Sequence, residues 1–154
     1  MKYTGIHHVA IATGDLDATL RFWRDLLGMP VRVTFGSKPG DKVYFVEVSE
    51  GSMLAFFEWP GIEPIKEKEH GVPTSGPFAF DHIAIGVEDE AALYAIRDRI
   101  EAAGIWVSMV IDHGFIHSIY TFDPHGVAVE FATPVSGVDV HNNVLLKDCA
   151  PTED

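Results

Sequence analysis

Phe80-Asp81-His82-Ile83-Ala84-Ile85-Gly86, read with Asp123-Pro124-His125-Gly126-Val127-Ala128-Val129-Glu130-Phe131, decides the fold. The first stretch sets a histidine at the start of an alternating apolar run. The second gives a turn and then an apolar strand with one carboxylate in it. A charge inside an apolar strand is costly unless it is paired or bound to a metal. Glu130 therefore needs a partner, and His82 is a candidate. Working outward, Ile6-His7-His8-Val9-Ala10-Ile11 matches the His82 stretch at an offset of 74 residues (82 − 8). The same offset carries Glu130 to Phe56, Phe131 to Phe57 and Pro134 to Pro60. One offset that fits both ends of two segments predicts an internal duplication.

The elements between these ends repeat as well. Gly5 to Thr13 alternates and is rich in Ile, Val and Ala, as a strand would be. Asp15 is placed to cap a helix in which Leu16, Leu20, Trp23 or Phe22, and Leu27 recur at helical spacing, and Gly28 ends it. Val31 to Phe35 is a short strand, and 36–41 is loop by composition. Lys42 to Val48 and Met53 to Trp59 form a hairpin. The second half follows the same plan, with a strand from Phe78 to Val87, a helix from Asp89 to Ala103, and a strand from Trp106 to Ile111. A hairpin from Ile116 to Phe122 and Val127 to Ala132 closes it. The expected class is α+β, two βαβββ modules in tandem. Residues 1–60 are the first module, 61–77 a Pro- and Gly-containing linker, 78–134 the second module and 135–154 a tail, with both modules in one domain. The linker reads as solvated chain, with a lid over a pocket as the alternative. In the tail, Val144-Leu145-Leu146 is expected to pack on the body or on a partner subunit.

Composition narrows the function classes. The chain has 154 residues, 47% hydrophobic and 22% charged, which places it among globular proteins. A formal net charge of −12 argues against nucleic-acid partners, because phosphate contacts need Lys and Arg. The single cysteine, Cys149, permits no internal disulfide and reads as an idle thiol in a reducing compartment. No run approaches the ~20 apolar residues of a membrane span, and no signal pattern opens the chain. A cytoplasmic protein with no membrane partner is expected.

The set of motifs resembles the vicinal oxygen chelate superfamily of glyoxalases, bleomycin- and fosfomycin-resistance proteins and extradiol dioxygenases. It comprises His8-Val9-Ala10-Ile11-Ala12, Asp15 to Trp23, Leu26-Leu27-Gly28-Met29, Asp81 to Ile85, Ser118-Ile119-Tyr120 and Asp123 to Phe131, within residues 5 to about 134. The resemblance implies that each module curls its mixed sheet, with one helix, into part of a metal-binding cleft. It implies a small-molecule substrate and a homodimer, and metal ligands at His8, His82 and Glu130. The family's remaining ligand position falls on Phe56, which cannot bind a metal. Glu58, two residues on and so on the same face in a regular strand, is the candidate replacement.

Two imidazoles and one carboxylate leave coordination positions open. They suit Fe(II) or Mn(II) and permit Zn(II) or Ni(II). A substrate with two adjacent oxygens can then chelate the metal. Proton transfer falls to His113, His117 or Tyr120, on or just before the strand that pairs with the Glu130 strand. His113 and His117 share a face if that strand is regular. Phe56 and Phe80 are either core or the lining of a pocket for an aromatic substrate. A dioxygenase-like enzyme is the first expectation. The rivals are a glyoxalase-type lyase or isomerase with Glu58 as fourth ligand, and a metal-free small-molecule-binding protein of the resistance type.

Overall fold

The computed structural model describes residues 1–66, 68–70, 72, 74 and 80–138. Phe78, Val144-Leu145-Leu146 and Cys149 lie outside these described residues, as does part of the linker. The order of elements is β1 (His8–Thr13), α1 (Leu16–Leu20) running into a π-helical stretch (Arg21–Leu26), β2 (Val31–Phe35), β3 (Val43–Ser49) and β4 (Ser52–Glu58). Then come β5 (Ile83–Gly86), α2 (Glu90–Ala102), β6 (Ile111–Asp112), β7 (Ile116–Phe122) and β8 (Ala128–Pro134). Each half forms a four-stranded mixed sheet, in the orders β1-β4-β3-β2 and β5-β8-β7-β6, so two βαβββ modules stand in tandem. By packing, the chain divides into Met1–Glu69 with the tip Phe122–Val127, and His70–Thr121 with Ala128 onward. The division thus falls at 69/70, inside the expected linker, and the tip of the last hairpin groups with the first unit.

Both helices start as the sequence predicts. The Asp15 carboxylate accepts from Ala18 N at 2.8 Å, and Asp89 accepts from Ala92 N at 2.8 Å. The two caps are 74 residues apart, as are His8 and His82. The first helix departs from the expected single α-helix. Leu27 N donates to Phe22 O, five residues back, at 3.0 Å, the wide spacing of a π turn. The widened turn lets two consecutive residues face inward. Sequence periodicity left Phe22 and Trp23 as alternatives, and both are buried, at 3% and 0% exposure. Trp23 packs against Phe56, with ring centroids 5.6 Å apart.

The expected strand from Trp106 to Ile111 is reduced to a bridge, Val107 with Thr121, and the two-residue β6. Ser108 N keeps a cross-strand bond to Tyr120 O at 2.9 Å, and its hydroxyl stands in for the return bond, donating to Met109 O and accepting from Tyr120 N.

The closing turns are built on left-handed glycines, Gly51 and Gly126, both at φ 80. Their surroundings differ. A Cβ on Gly51 would meet nothing within 4 Å, whereas one on Gly126 would sit 2.0 Å from the Ile65 carbonyl oxygen. Gly51→Ala should therefore cost only the backbone strain, about 1 kcal/mol. Gly126→Ala should cost roughly 3 kcal/mol because the Ile65 backbone must also move. Paired urea melts test this, and equal losses would show that the clash relaxes freely.

Candidate functional site

The second unit gathers a polar cluster around one buried carboxylate. Glu130, in the middle of β8, is 3% exposed. Its Oε1 accepts from Ser118 Oγ at 2.5 Å, and its Oε2 lies 2.8 Å from His82 Nε2. The other nitrogen of His82, Nδ1, is 2.7 Å from Asp81 Oδ1, and the second Asp81 oxygen accepts from Thr74 N at 3.1 Å. Asp81 therefore fixes the His82 ring and directs Nε2 at Glu130. Tyr120 stands edge-on to His82, with centroids 6.0 Å apart, and its hydroxyl is joined to His113 Nε2 by a hydrogen bond of 3.0 Å. Partial burial, reinforced by the Glu130 charge, pushes the Tyr120 phenol up to about 12. It keeps its proton throughout the neutral range and is a hydrogen-bond donor there, not a base.

Strand alternation explains who belongs to this cluster. Ser118 and Tyr120 are two apart on β7 and share the Glu130 face, whereas Ile119 and Thr121 are buried on the other. His117 falls on that other face. Its Nδ1 bonds Glu90 in the first turn of α2, and its Nε2 lies 3.5 Å from Asp112. The regular strand on which His113 and His117 would share a face is not formed, because the chain turns between them, closed by His113 N to Ile116 O. His113 joins the cluster and His117 ties helix to sheet.

The first unit corrects the placement of Phe56. In the second unit Ala84 stands opposite Glu130, and in the first unit Ala10 stands opposite Ala55. Ala10 and Ala84 are 74 apart, but Ala55 and Glu130 are 75 apart, so the offset grows by one before the last strand. Gly51 and Gly126 are also 75 apart, a signal present in the sequence that a constant offset overlooks. The counterpart of Glu130 is Ala55. Phe56 matches Phe131 instead and faces the helix, against Trp23. Glu58 shares the helix-side face of Phe56. It pairs with Thr13, whose hydroxyl bonds Thr19 of α1 at 2.8 Å. Its carboxylate accepts from Gly40 N at 2.8 Å and lies 4.0 Å from Lys42 Nζ. Register therefore turns Glu58 away from the face on which a replacement ligand would sit. His8 is on that face, its ring 5.4 Å from Phe45, which stands opposite Ala55. Among the described residues no group of three or more His, Cys, Asp and Glu side chains gathers within reach of one metal ion.

His82 and Glu130 nevertheless fit as two members of a metal's donor set. Nε2 and one carboxylate oxygen meet at 2.8 Å, and Asp81 holds the far nitrogen as outer partners of ligating histidines do. Ser118, Asp81, Trp106 and His70 were not singled out from sequence. Ser118 was legible by alternation with Tyr120 and Asp81 by adjacency to His82. His70, in the expected linker, carried no local signal; its ring stacks on Tyr120 at 5.5 Å and 19°.

The fold and the His82–Glu130 site point to one superfamily. The chain belongs to the Glyoxalase/Bleomycin resistance protein/Dioxygenase superfamily, whose family model matches residues 5–131. It is 30% identical over 131 residues to a lactoylglutathione lyase of Haemophilus influenzae, covering 82% of this chain and 90% of that one. It is 25% identical to a Bacillus subtilis protein named as a ring-cleaving dioxygenase, MhqA, covering 99% of this chain and 50% of that one. Among solved structures, a lactoylglutathione lyase from Agrobacterium tumefaciens superposes with a TM-score of 0.63 at 25% identity, covering 86% of this chain and 96% of that one. No helix among the described residues is long and apolar enough to cross a membrane.

Proposed function

We propose that this chain is a metal-dependent, dioxygenase-like enzyme acting on a small substrate with two adjacent oxygens, such as a catechol. His82 and Glu130 hold the divalent ion, and His8, the matching histidine of the first repeat, completes the set in a homodimer. The observation that carries this reading is Ala55 at the counterpart of Glu130, which leaves two histidines and one carboxylate. Such a set with open positions suits Fe(II) or Mn(II). When bound, that ion supplies Lewis acidity and redox chemistry. Tyr120, held protonated, donates a hydrogen bond to a substrate oxygen. His113, 3.0 Å from the Tyr120 hydroxyl, passes a proton through it. Asp81 fixes the ring plane of His82, and Ser118 fixes the carboxylate of Glu130.

A lyase or isomerase of the glyoxalase type is the second reading, favoured by the 30% identity to the Haemophilus influenzae lyase. It needs a fourth donor, which alanine does not supply. Elemental analysis of protein purified without oxygen, followed by oxygen uptake with catechols, tests the choice. About one iron or manganese per chain with catechol-dependent uptake supports the dioxygenase-like reading. Zinc or nickel with no uptake overturns it in favour of the lyase, and failure to take up any ion overturns both. Ala55→Glu sharpens the test by installing the missing carboxylate. Metal affinity should rise by about tenfold or more and oxygen uptake should fall. Unchanged affinity would mean that position 55 does not face the ion.

A further inference from the structure

His70 fills a space between two other rings. Its imidazole lies on Tyr120 with centroids 5.5 Å apart and planes at 19°, and against Trp106 at 5.6 Å and 36°. Both distances are in the range of favourable aromatic pairs. His82 stands perpendicular to the Tyr120 ring and His113 bonds its hydroxyl, whereas His70 alone among these lies nearly parallel to the ring, as a stacked ligand would. Trp106 is half exposed, so the rim of this space is open to solvent. The imidazole is planar and comes from a segment outside both sheets, while Tyr120 sits on β7.

We propose that Tyr120 and Trp106 form a stacking slot for a planar, uncharged aromatic ring, and that His70 occupies this slot as an internal competitor. The electrostatics choose the charge of the ligand. Glu130 and Asp81 both lie at His82, next to Tyr120, so an anionic ring would meet two carboxylates. A neutral ring stacks at no such cost. The slot deepens the reading under Proposed function by naming the body of the substrate, and its test is independent of that reading because it is made on metal-free protein without turnover.

The probe is naphthalene-2,3-diol, neutral near pH 7, titrated by calorimetry into the full chain after metal removal. His70→Ala vacates the slot and should bind the diol about tenfold more tightly than wild type, the scale of one aromatic pair no longer competing. His70→Phe refills the space with a ring and should return the affinity to the wild-type value. The gain in His70→Ala should vanish in the double variant His70→Ala/Trp106→Leu; Trp106 lies at the rim, so its loss opens no core. Equal or weaker binding by His70→Ala than by wild type overturns the proposal, as does a gain that survives the loss of Trp106. Absence of catechol-dependent oxygen uptake by the metal-loaded protein bears only on the enzyme reading and leaves the slot standing.

Discussion

Glu130→Ala should lose metal while the chain stays folded. Its carboxylate is shared by the buried Ser118 hydroxyl and His82 Nε2. Loss of a mere outer-shell partner costs about 10–100-fold in metal affinity, so loss of a ligand should exceed about a hundredfold. The fold should tolerate it for a physical reason. A buried carboxylate is stabilising only through its partners, and here one partner, His82, is about a third exposed and can turn to water. Elemental analysis together with a thermal melt reads both quantities. Glu130→Gln, which keeps the volume and the acceptor but not the charge, guards against a packing artefact. Stoichiometric metal in both variants would remove Glu130 from the site.

The largest stability effect should come from Asp123→Ala. The Asp123 side chain is buried, and it accepts from His125 N and Val127 N at 2.9 Å each and from Trp23 Nε1 at 3.1 Å. Removing it strands three donors away from water. Each would cost about 1–3 kcal/mol alone, and because they are neighbours the total should be about 3–5 kcal/mol rather than their sum. Urea denaturation measures it. The pH dependence has a definite sign. Burial is the largest influence on this carboxyl and raises it above the ordinary 3.8, against the opposing pull of its N–H donors. The folded state therefore holds the proton more tightly than the unfolded state. The group's contribution to stability is full below 3.8 and is lost as pH rises through the higher folded value. The penalty of Asp123→Asn, which cannot titrate, should accordingly be larger at pH 4 than at pH 7. The opposite order would mean that the three donors outweigh burial.

Much of this architecture was legible because its signals are local. Asp15 caps its helix where the sequence puts a cap, the second helix begins within a residue of its expected start at Asp89, and the hairpin β3–β4 differs from its expected bounds by a residue at either strand. His82, Glu130, Tyr120 and His113 were found as chemistry-bearing residues on or beside strands, and the fold brings them together. What failed was counting. A duplication read with one offset makes Phe56 the partner of Glu130, yet a single extra residue before β8 moves that partnership to Ala55 and flips the face. A turn had a similar effect on His117, since the chain reversal at 113–116 breaks the strand on which the spacing rule depends. The π-helical turn is a third case, where periodicity offered Phe22 or Trp23 and a change of pitch accommodated both. His70 was illegible for another reason. Its contacts are with Tyr120 and Trp106, dozens of positions away, and no nearest-neighbour pattern announces them.

Ala55 has a bearing on how a repeated protein changes over time. A carboxylate in the middle of a sheet obliges its surroundings to keep supplying donors, so the strand around Glu130 is tied to Ser118 and His82. An alanine imposes no such obligation. The sheet face that carries Ala55 also carries His8 beside Phe45, and Phe45 meets the half-exposed Phe35 edge to face at 6.0 Å. Apart from His8, side chains there can be exchanged at the cost of packing alone. One copy of the repeat is thus bound to its chemistry by a network of side chains, while the other, His8 apart, is free to acquire new shapes. Variation between otherwise similar chains should gather on the first copy's sheet face, where a change of partner molecule requires no change of reaction.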